Sequence, residues 1–474
     1  MDQKRRITPR HWGQISIFRL AAALTLTRVE KSRSDPNANG LNGLAALLLF
    51  LICSLALGAY QAGSGGTNRP EHHGKPYVIL VSLDGFKAEY LDRFTLPNLR
   101  RMMQRGTRAR AMVPVFPALT FPNHYSLVTG LHPGRHGIVS NRFYDPARKE
   151  TYVYTDINEV TDGSWYRGEP IWVTAEKQGM VSACFFWPGS EAAIQNIRPT
   201  IWNRYDGRIS NAARVNTVLD WLRLPIERRP HLITLYFSEL DSVSHTHPLE
   251  SPEIEKAAQS LDMAVGRLLD GIVALPIRDR IHVLITSDHG MVNTSPKQTI
   301  ALESLLDGAD LVNIEEAFGG PVANLHIRGG DADRARQIRD RINARLARGT
   351  AYLRTELDER FHYRDDPRAG DIVIVMDDAW SLSTPRRRPR ETESTAKPAP
   401  AGPSRERWGQ HGSDNTFPSM RAVFLIMGPG ISRGAIVPEV DNVDVYPLMA
   451  ELLGITPASD IDGRPGHIKG LISK

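Results

Sequence analysis

The segment Tyr77–Gly85, YVILVSLDG, places an acid and a glycine directly after a run of apolar residues. Such a run is too continuous for a half-exposed strand, and it predicts a strand that is buried on both faces. Runs of the same kind recur along the chain at 232–237 (LITLYF), 282–286 (HVLIT), 372–376 (IVIVM) and 422–427 (AVFLIM). Several buried strands of this type predict a large sheet in the interior of the protein.

Helix-periodic segments lie between these strands. Apolar residues recur at intervals of three or four over Pro252–Ile272, Ala332–Ala347 and Val443–Leu453. Alternation of buried strands with amphipathic helices predicts an α/β fold, with a mostly parallel central sheet covered by helices on both faces. In sheets of this kind ligands bind outside the carboxyl ends of the strands.

The charge of the chain is concentrated at its beginning. Residues 1–40 hold eight Lys/Arg and three Asp/Glu, which accounts for the whole formal charge of +5. The rest of the chain is balanced, which excludes a nucleic-acid-binding surface that extends over the body. A hydrophobic content of 41% is ordinary for a globular protein and excludes disorder throughout. Cys53 and Cys184, the two cysteines, cannot form a disulfide framework.

The first 60 residues indicate export from the cytoplasm. A basic stretch precedes the apolar run 41–60, and small residues at Ala56 and Gly58 suit cleavage by a signal peptidase. A run of about 20 apolar residues could equally span a bilayer as a retained anchor. We therefore expect a periplasmic or extracellular protein with a cleaved signal peptide, the alternative being an anchored protein with its folded part outside.

The remaining chain divides into a linker and one large domain. Small and polar residues without periodicity predict a linker over 61–75. Residues 76–474 are then expected to form a single catalytic domain. Within it, the segment 384–407 is rich in proline and charge and has no apolar face, which predicts a disordered surface excursion.

Acids and histidines cluster just after the predicted strands. A single acid after a strand is commonplace as a turn former, whereas three in one chain with nearby histidines indicate a metal site. Carboxylates together with imidazoles favour zinc, with manganese as an alternative. The candidate ligands are Asp84, Asp241, His245, Asp288, His289 and His411.

Thr120 is the candidate nucleophile. It stands two residues before Pro122 and just before the apolar-periodic residues Tyr125, Leu127 and Val128, which is the pattern of a helix start. A threonine there can simply cap the helix. The N-terminus of a helix also favours an anion beside it, so an activated threonine at this position would be competent to attack phosphorus.

Taken together, these motifs resemble the nucleotide pyrophosphatase/phosphodiesterase family within the alkaline phosphatase superfamily. The resemblance extends over nearly all of the body, and the order and combination of the motifs make it specific. They are SLDGF (82–86), FPALTFPNHYSLVTGLHPGRHGIVSNRFYD (116–145), FFWPGS (185–190), ELDSVSHTHP (239–248), TSDHGM (286–291), GQHGSDN (409–415) and VDVYPLMAELLGI (443–455).

The resemblance implies an alkaline-phosphatase-like fold and two zinc ions. One ion would be held by Asp84, Thr120, Asp288 and His289, and the other by Asp241, His245 and His411. Thr120 would attack phosphorus to form a covalent intermediate, and Asn141 would donate to a non-bridging phosphoryl oxygen. The implied reaction is hydrolysis of a nucleotide phosphodiester or pyrophosphate bond with release of nucleoside 5′-monophosphate.

Three aromatic residues are candidates for binding a nucleobase. Phe121, Tyr205 and Tyr236 could stack on a base, although each tyrosine could equally belong to the core. Some members of the family hydrolyse choline phospholipids with the same metal site, so this substrate class stays open. A non-catalytic, metal-stabilised surface binding protein is the alternative outside enzymes.

Overall fold

The computed structural model describes residues 66–384 and 406–464. The predicted leader, 1–60, and most of the predicted excursion, 385–405, lie outside the described residues. The strands are β1 Tyr77–Leu83, β2 Thr107–Ala109, β3 Met112–Val113, β4 Arg142–Asp145, β5 Glu150–Val153, β6 Ser182–Phe185, β7 Ile201–Trp202, β8 Leu232–Phe237, β9 Ile281–Thr286, β10 Val292–Thr294, β11 Thr299–Ala301, β12 Ile314–Phe318, β13 Val322–Ile327, β14 Gly349–Leu353, β15 Ile372–Met376, β16 Ser381–Ser383, β17 Trp408–Gln410, β18 Phe424–Met427, β19 Ala435–Val437 and β20 Val440–Asp441.

Helices connect and flank these strands. They are α1 Tyr90–Arg93, α2 Pro97–Arg105, α3 Thr120–Thr129, α4 Pro133–His136, α5 Ile157–Thr161, α6 Ile171–Lys177, α7 Asn211–Trp221, α8 Glu239–Ser244, α9 Pro252–Val273, α10 Gly308–Leu311, α11 Ala332–Arg345 and α12 Val445–Leu453. The three helices expected from periodicity correspond to α9, α11 and α12. Among the helices of the described ranges, none combines the length and the apolar character that crossing a bilayer requires.

The central sheet has eight strands in the order β19-β2-β18-β9-β1-β8-β6-β7. β1 pairs in parallel with β8 on one side and with β9 on the other, whereas β18 is antiparallel to both of its neighbours. Every residue of β1 is buried, as its continuous apolar pattern predicts. The mostly parallel, helix-flanked sheet predicted from the sequence is therefore confirmed.

One predicted strand lies elsewhere. β15 belongs to a second sheet of four antiparallel strands, β12-β13-β15-β14, and not to the central one. Its side chains alternate between two cores: Ile372, Ile374 and Met376 pack in the core of the small sheet, whereas Val373 packs in the main core. Both faces are thus buried without parallel neighbours, which is why its apolar run looked like that of a central strand.

The described part of the predicted linker, residues 66–75, is packed against the body. The Asn68 side chain donates to the carbonyl oxygens of Ile226 and Arg229 at 2.8 and 2.7 Å, and it accepts from Val181 N at 2.8 Å. Asn68 and His72 are both buried. Residues 66–75 therefore pack on the body although the stretch shows no periodicity, because one buried amide bonds three backbone groups.

A buried histidine beside β1 makes stability depend on pH. His231 stacks on Tyr77 with ring centroids 4.3 Å apart, and its Nδ1 donates to Pro76 O at 2.8 Å. Burial, with the nearby Arg280 cation, lowers the pKa of His231 from 6.5 to about 4. The unfolded chain therefore binds a proton between these values that the folded protein does not, so the free energy of unfolding falls as pH falls from 7 to 5.

His231→Phe keeps a stacked ring and removes this titration. We expect the wild type to lose about 2 kcal/mol more stability than the variant between pH 7 and 5. Urea denaturation at both pH values, with chelator present so that metal release does not contribute, measures the difference. Equal pH dependence of the two proteins would contradict the assignment.

Candidate active site

Three acids meet at one edge of the central sheet. Asp84 directly follows β1, Asp241 lies in the first turn of α8 after β8, and Asp288 follows β9. Because β8, β1 and β9 are adjacent and parallel, their carboxyl ends lie side by side. Gly85 permits the turn after Asp84: its φ is +70°, and a Cβ there would lie 3.2 Å from Asp241.

Three histidines present the same ring nitrogen to this edge. Their Nδ1 atoms lie near backbone carbonyl oxygens: His245 near Gly409 O at 3.2 Å, His411 near Ala118 O at 3.1 Å and His289 near Gly290 O at 2.9 Å. A neutral imidazole that donates through Nδ1 keeps a lone pair on Nε2. This is the arrangement that orients metal-binding histidines in proteins.

Asp241, His245 and His411 form the first cluster. The two Nε2 atoms lie 3.2 Å apart, and Asp241 Oδ1 lies 3.3 Å from the Nε2 of His245 and 3.6 Å from that of His411. Burial and the neighbouring His289 lower the pKa of His411 to about 3, so its imidazole is neutral. Lone pairs facing each other around one carboxylate oxygen fit a bound divalent cation.

Asp84, Asp288, His289 and Thr120 form the second cluster. His289 Nε2 lies 2.9 Å from Asp288 Oδ2, 3.5 Å from Asp84 Oδ1 and 3.4 Å from Thr120 Oγ1. Burial and the charges of Asp288 and Asp241 raise the pKa of Asp84 well above its ordinary value.

The buried oxygens of these acids suit a bound cation. Asp84 Oδ1, Asp241 Oδ1 and Asp288 Oδ2 are buried, and the last two lie 3.3 and 2.9 Å from the Nε2 atoms of His245 and His289. Three carboxylates this close in a buried space repel one another unless positive charge is placed between them. The donor set of carboxylate and imidazole suits zinc first.

Thr120 is the first residue of α3, and the N-cap is Leu119. Its hydroxyl is therefore not used as a cap. The preceding loop is held by Asn123, whose side chain bonds Val115 N at 2.7 Å, Pro117 O at 3.0 Å and Leu119 O at 2.9 Å. Asn123 was missed from the sequence, since its position in the first turn of a helix suggests only a polar surface residue.

Asn141 lies beside Thr120. Its Oδ1 accepts from Phe121 N at 2.9 Å, which leaves the NH₂ group of the amide to donate into the cavity. His124, on the same helix as Thr120, has Nε2 at 2.8 Å from Ser82 Oγ and Nδ1 at 2.9 Å from Thr120 O. His124 Nδ1 also lies 3.4 Å from Asp288 Oδ2, so this histidine adjoins the second cluster.

A cavity of about 560 Å³ lies above the clusters. It brings together all predicted site residues except Asp288 and His289, which are fully buried beneath its floor. The predicted residues that line it are Asp84, Thr120, Phe121, Asn141, Tyr205, Tyr236, Asp241, His245 and His411.

The aromatic walls of the cavity differ in part from the sequence-based expectation. Phe121 packs edge-to-face on Tyr154 with centroids 5.4 Å apart, and Tyr205 packs on Phe186 at 5.1 Å. Tyr205 is 49% exposed and free to contact a ligand. Tyr236 instead donates its hydroxyl to Asp84 Oδ2 at 2.5 Å, so it orients a candidate metal ligand. Tyr154 and Phe186 were missed, because aromatics around short strands carry no signal of their own.

Comparisons with the sequences of known proteins point to one family. Residues 78–414 match the family model described as type I phosphodiesterase / nucleotide pyrophosphatase. The chain is 37% identical over 413 residues to the human ectonucleotide pyrophosphatase/phosphodiesterase family member 1, covering 84% of this chain and 42% of that protein. It is 34% identical over 419 residues to the venom phosphodiesterase CdcPDE of Crotalus durissus collilineatus, covering 87% of this chain and 48% of that protein.

Solved structures show the same likeness. The chain superposes on murine ectonucleotide pyrophosphatase/phosphodiesterase 5 with a TM-score of 0.74 and 27% identity, covering 84% of this chain and 100% of that one. The chain spans less than half the length of the curated relatives named above. The match to the family model and the identity to these relatives lead to one conclusion: this chain belongs to the type I phosphodiesterase / nucleotide pyrophosphatase family.

Proposed function

We propose that the chain hydrolyses phosphodiester or pyrophosphate bonds of nucleotides and releases nucleoside 5′-monophosphate. The observation that carries this proposal is the position of Thr120. Its hydroxyl lies at the start of a helix, 3.4 Å from His289 Nε2 and at the base of an open cavity. An unused hydroxyl beside two cation-binding clusters suits nucleophilic attack on a phosphoryl group.

Two divalent cations, zinc in the first place, complete the proposed site. One would be held by Asp84, Thr120, Asp288 and His289, and the other by the cluster of Asp241, His245 and His411. When bound, such cations lower the pKa of coordinated hydroxyl or water and offset charge on the phosphoryl oxygens.

The residues of the chain then have distinct roles. Thr120 Oγ1 forms a bond to phosphorus as the bond to the leaving oxygen breaks on the opposite side, giving a threonine-linked phosphodiester. The Asn141 NH₂ group donates to a non-bridging oxygen, where negative charge accumulates. Water then attacks phosphorus in line and releases Thr120, so that two inversions give net retention.

The aromatic walls favour a nucleotide as the substrate. Phe121 and Tyr205 supply ring faces at the cavity, and stacking contributes about 1–3 kcal/mol per base. A solved relative, murine member 5, has been crystallised with AMP as an inactive variant in which alanine replaces a threonine. That pairing of a required threonine with a bound nucleotide supports the same roles for Thr120 and the aromatic cavity here.

Export is proposed on two grounds. The relatives are named as ecto-enzymes and venom enzymes, which act outside cells. The leader predicted at 1–60 has the pattern of a signal peptide or an anchor. We propose a periplasmic or extracellular location for the catalytic part.

The substrate class is tested by comparing three nitrophenyl esters in the presence of zinc: thymidine 5′-monophosphate nitrophenyl ester, nitrophenyl phosphate and nitrophenyl phosphorylcholine. We expect the nucleotide diester to be preferred, and Phe121→Ala and Tyr205→Ala each to lower its kcat/KM by about 5- to 100-fold. Phe94→Ala, an aromatic residue just after α1 that does not line the cavity, serves as the control.

Each outcome of this comparison has a clear meaning. A preference for the phosphorylcholine ester would leave the proposed reaction unchanged and would show that a choline phosphodiester, not a nucleotide, is the substrate. Zinc-bound protein without turnover of any ester would overturn the enzymatic proposal in favour of a metal-stabilised binding protein.

A further inference from the structure

The small four-stranded sheet sends one irregular segment back to the candidate active site. Residues 354–371 connect β14 to β15, and we call them the return segment. The sheet from which it extends is packed with α11 around a core of its own. The return segment therefore starts and ends on a rigid support while its middle contacts the central domain.

Arg368 of the return segment lies almost entirely buried against the strand that follows Asn141. Its exposed fraction is 7%, and its Nε donates to Asp145 Oδ2 at 2.8 Å. Its Nη1 donates to Gly137 O at 2.9 Å and to Trp165 O at 2.8 Å. Asn141 directly precedes β4 and Asp145 ends it, so one guanidinium binds the chain on both sides of Asn141.

A second contact holds the same stretch. Tyr363 donates its hydroxyl to Val139 O at 2.9 Å, two residues before Asn141. Asn141 in turn accepts from Tyr154 N at 3.0 Å through its backbone oxygen. The carboxamide of Asn141 is thus placed by a backbone that the return segment fixes at 137, 139 and 145.

Arg360 makes the corresponding contact with the loop of His411. Its guanidinium binds Asp414 in two places, Nη1 to Oδ1 at 3.0 Å and Nη2 to Oδ2 at 2.6 Å. Asp414 also accepts from the backbone N and the hydroxyl of Thr416, both at 2.9 Å. The Arg360 side chain is 42% exposed, so the pair adds little stability, and its effect is on geometry.

We propose that the return segment is a positioning element of the active site. Arg368 positions Asn141, which donates a hydrogen bond to the phosphoryl group, and Arg360 positions the metal ligand His411. The roles of Asn141 and His411 rest on the proposed function. The small sheet thereby positions Asn141 and His411, which lie far apart in the sequence and act on the same phosphoryl group.

The test compares Arg368→Met, Arg360→Met and the control Arg336→Met in the full chain. Arg336 lies on α11 and pairs with Asp333 of the same helix at 2.6 Å, outside the return segment. For Arg368→Met we expect kcat to fall at least tenfold, with KM and zinc content within about twofold of wild type. For Arg360→Met we expect zinc affinity at one of two sites to weaken by about 10- to 100-fold in chelator competition, as for other residues that orient metal ligands.

Two further measurements test the proposal if Arg368→Met does not fold or if the wild type is inactive. If Arg368→Met does not fold, Arg368→Lys replaces it, and amide hydrogen exchange of 137–154 in zinc-free protein must rise while exchange of β1 does not. Changes in the two variants no larger than those in Arg336→Met would overturn the proposal. If the wild type hydrolyses no ester, the proposed function fails, yet zinc affinity and hydrogen exchange still decide whether the return segment positions these loops.

Discussion

Replacing Thr120 by alanine is expected to lower kcat on the nucleotide diester by at least about 10⁴-fold, because the variant lacks the atom that attacks phosphorus. KM should change far less, since the hydroxyl forms no part of the aromatic walls. Initial rates with zinc supplied give both constants. Thr120→Ser should retain part of the activity, because it keeps a hydroxyl at the start of α3.

Thr129→Ala is the matched control for this variant. Thr129 ends the same helix, is buried where Thr120 is half-buried, and donates its hydroxyl to Tyr125 O at 2.7 Å. It should keep most of the activity. Mass spectrometry of rapidly quenched wild type should detect the nucleotidyl group on the peptide that contains Thr120. Turnover by Thr120→Ala at the wild-type rate would rule out this nucleophile.

Removal of metal is expected to abolish turnover and to lower stability together. Without cations, the acids Asp84, Asp241 and Asp288 lie close together in a buried space, where burial and mutual repulsion raise the pKa of Asp84 and so oppose its ionisation. A cation present at 1,000 times its Kd adds about 4 kcal/mol to the free energy of unfolding per site.

Urea denaturation with and without chelator measures this difference, and activity is followed in the same samples. Zinc added back should restore both, and chelator presaturated with zinc should leave both unchanged. Full activity in metal-free protein, shown by elemental analysis, would contradict the proposed site.

The parts of the fold that could be predicted are those with a strong local pattern. β1 and β8 begin and end where their apolar runs do, because both strands are buried on both faces and flanked by polar residues. α9 extends one residue beyond the predicted Ile272, since its apolar stripe is long and regular. β15 shows the limit of this reasoning: burial on both faces is visible in sequence, whereas the sheet to which a strand belongs is not.

The residues of the candidate site also divide into those with a local sequence signal and those without one. Asp84, Asp241 and Asp288 could be singled out because each comes just after a buried strand, and the grouping of the ligands followed from the family resemblance. Tyr154 and Arg368 could not be found in this way. Their positions depend on where a hairpin and a return segment fold back in space, and no spacing along the chain encodes that contact.

The arrangement of β8, β1 and β9 also has a consequence for the order of events during folding. Each cluster needs residues that are far apart in sequence: the first joins Asp241 to His411, and the second joins Asp84 to His289. No early fragment of a growing chain can therefore present a complete site, and cations bind with full affinity only after the long-range pairing of the sheet. Bound zinc should accordingly slow unfolding much more than it speeds folding, so its main kinetic effect is a lower unfolding rate of the native protein.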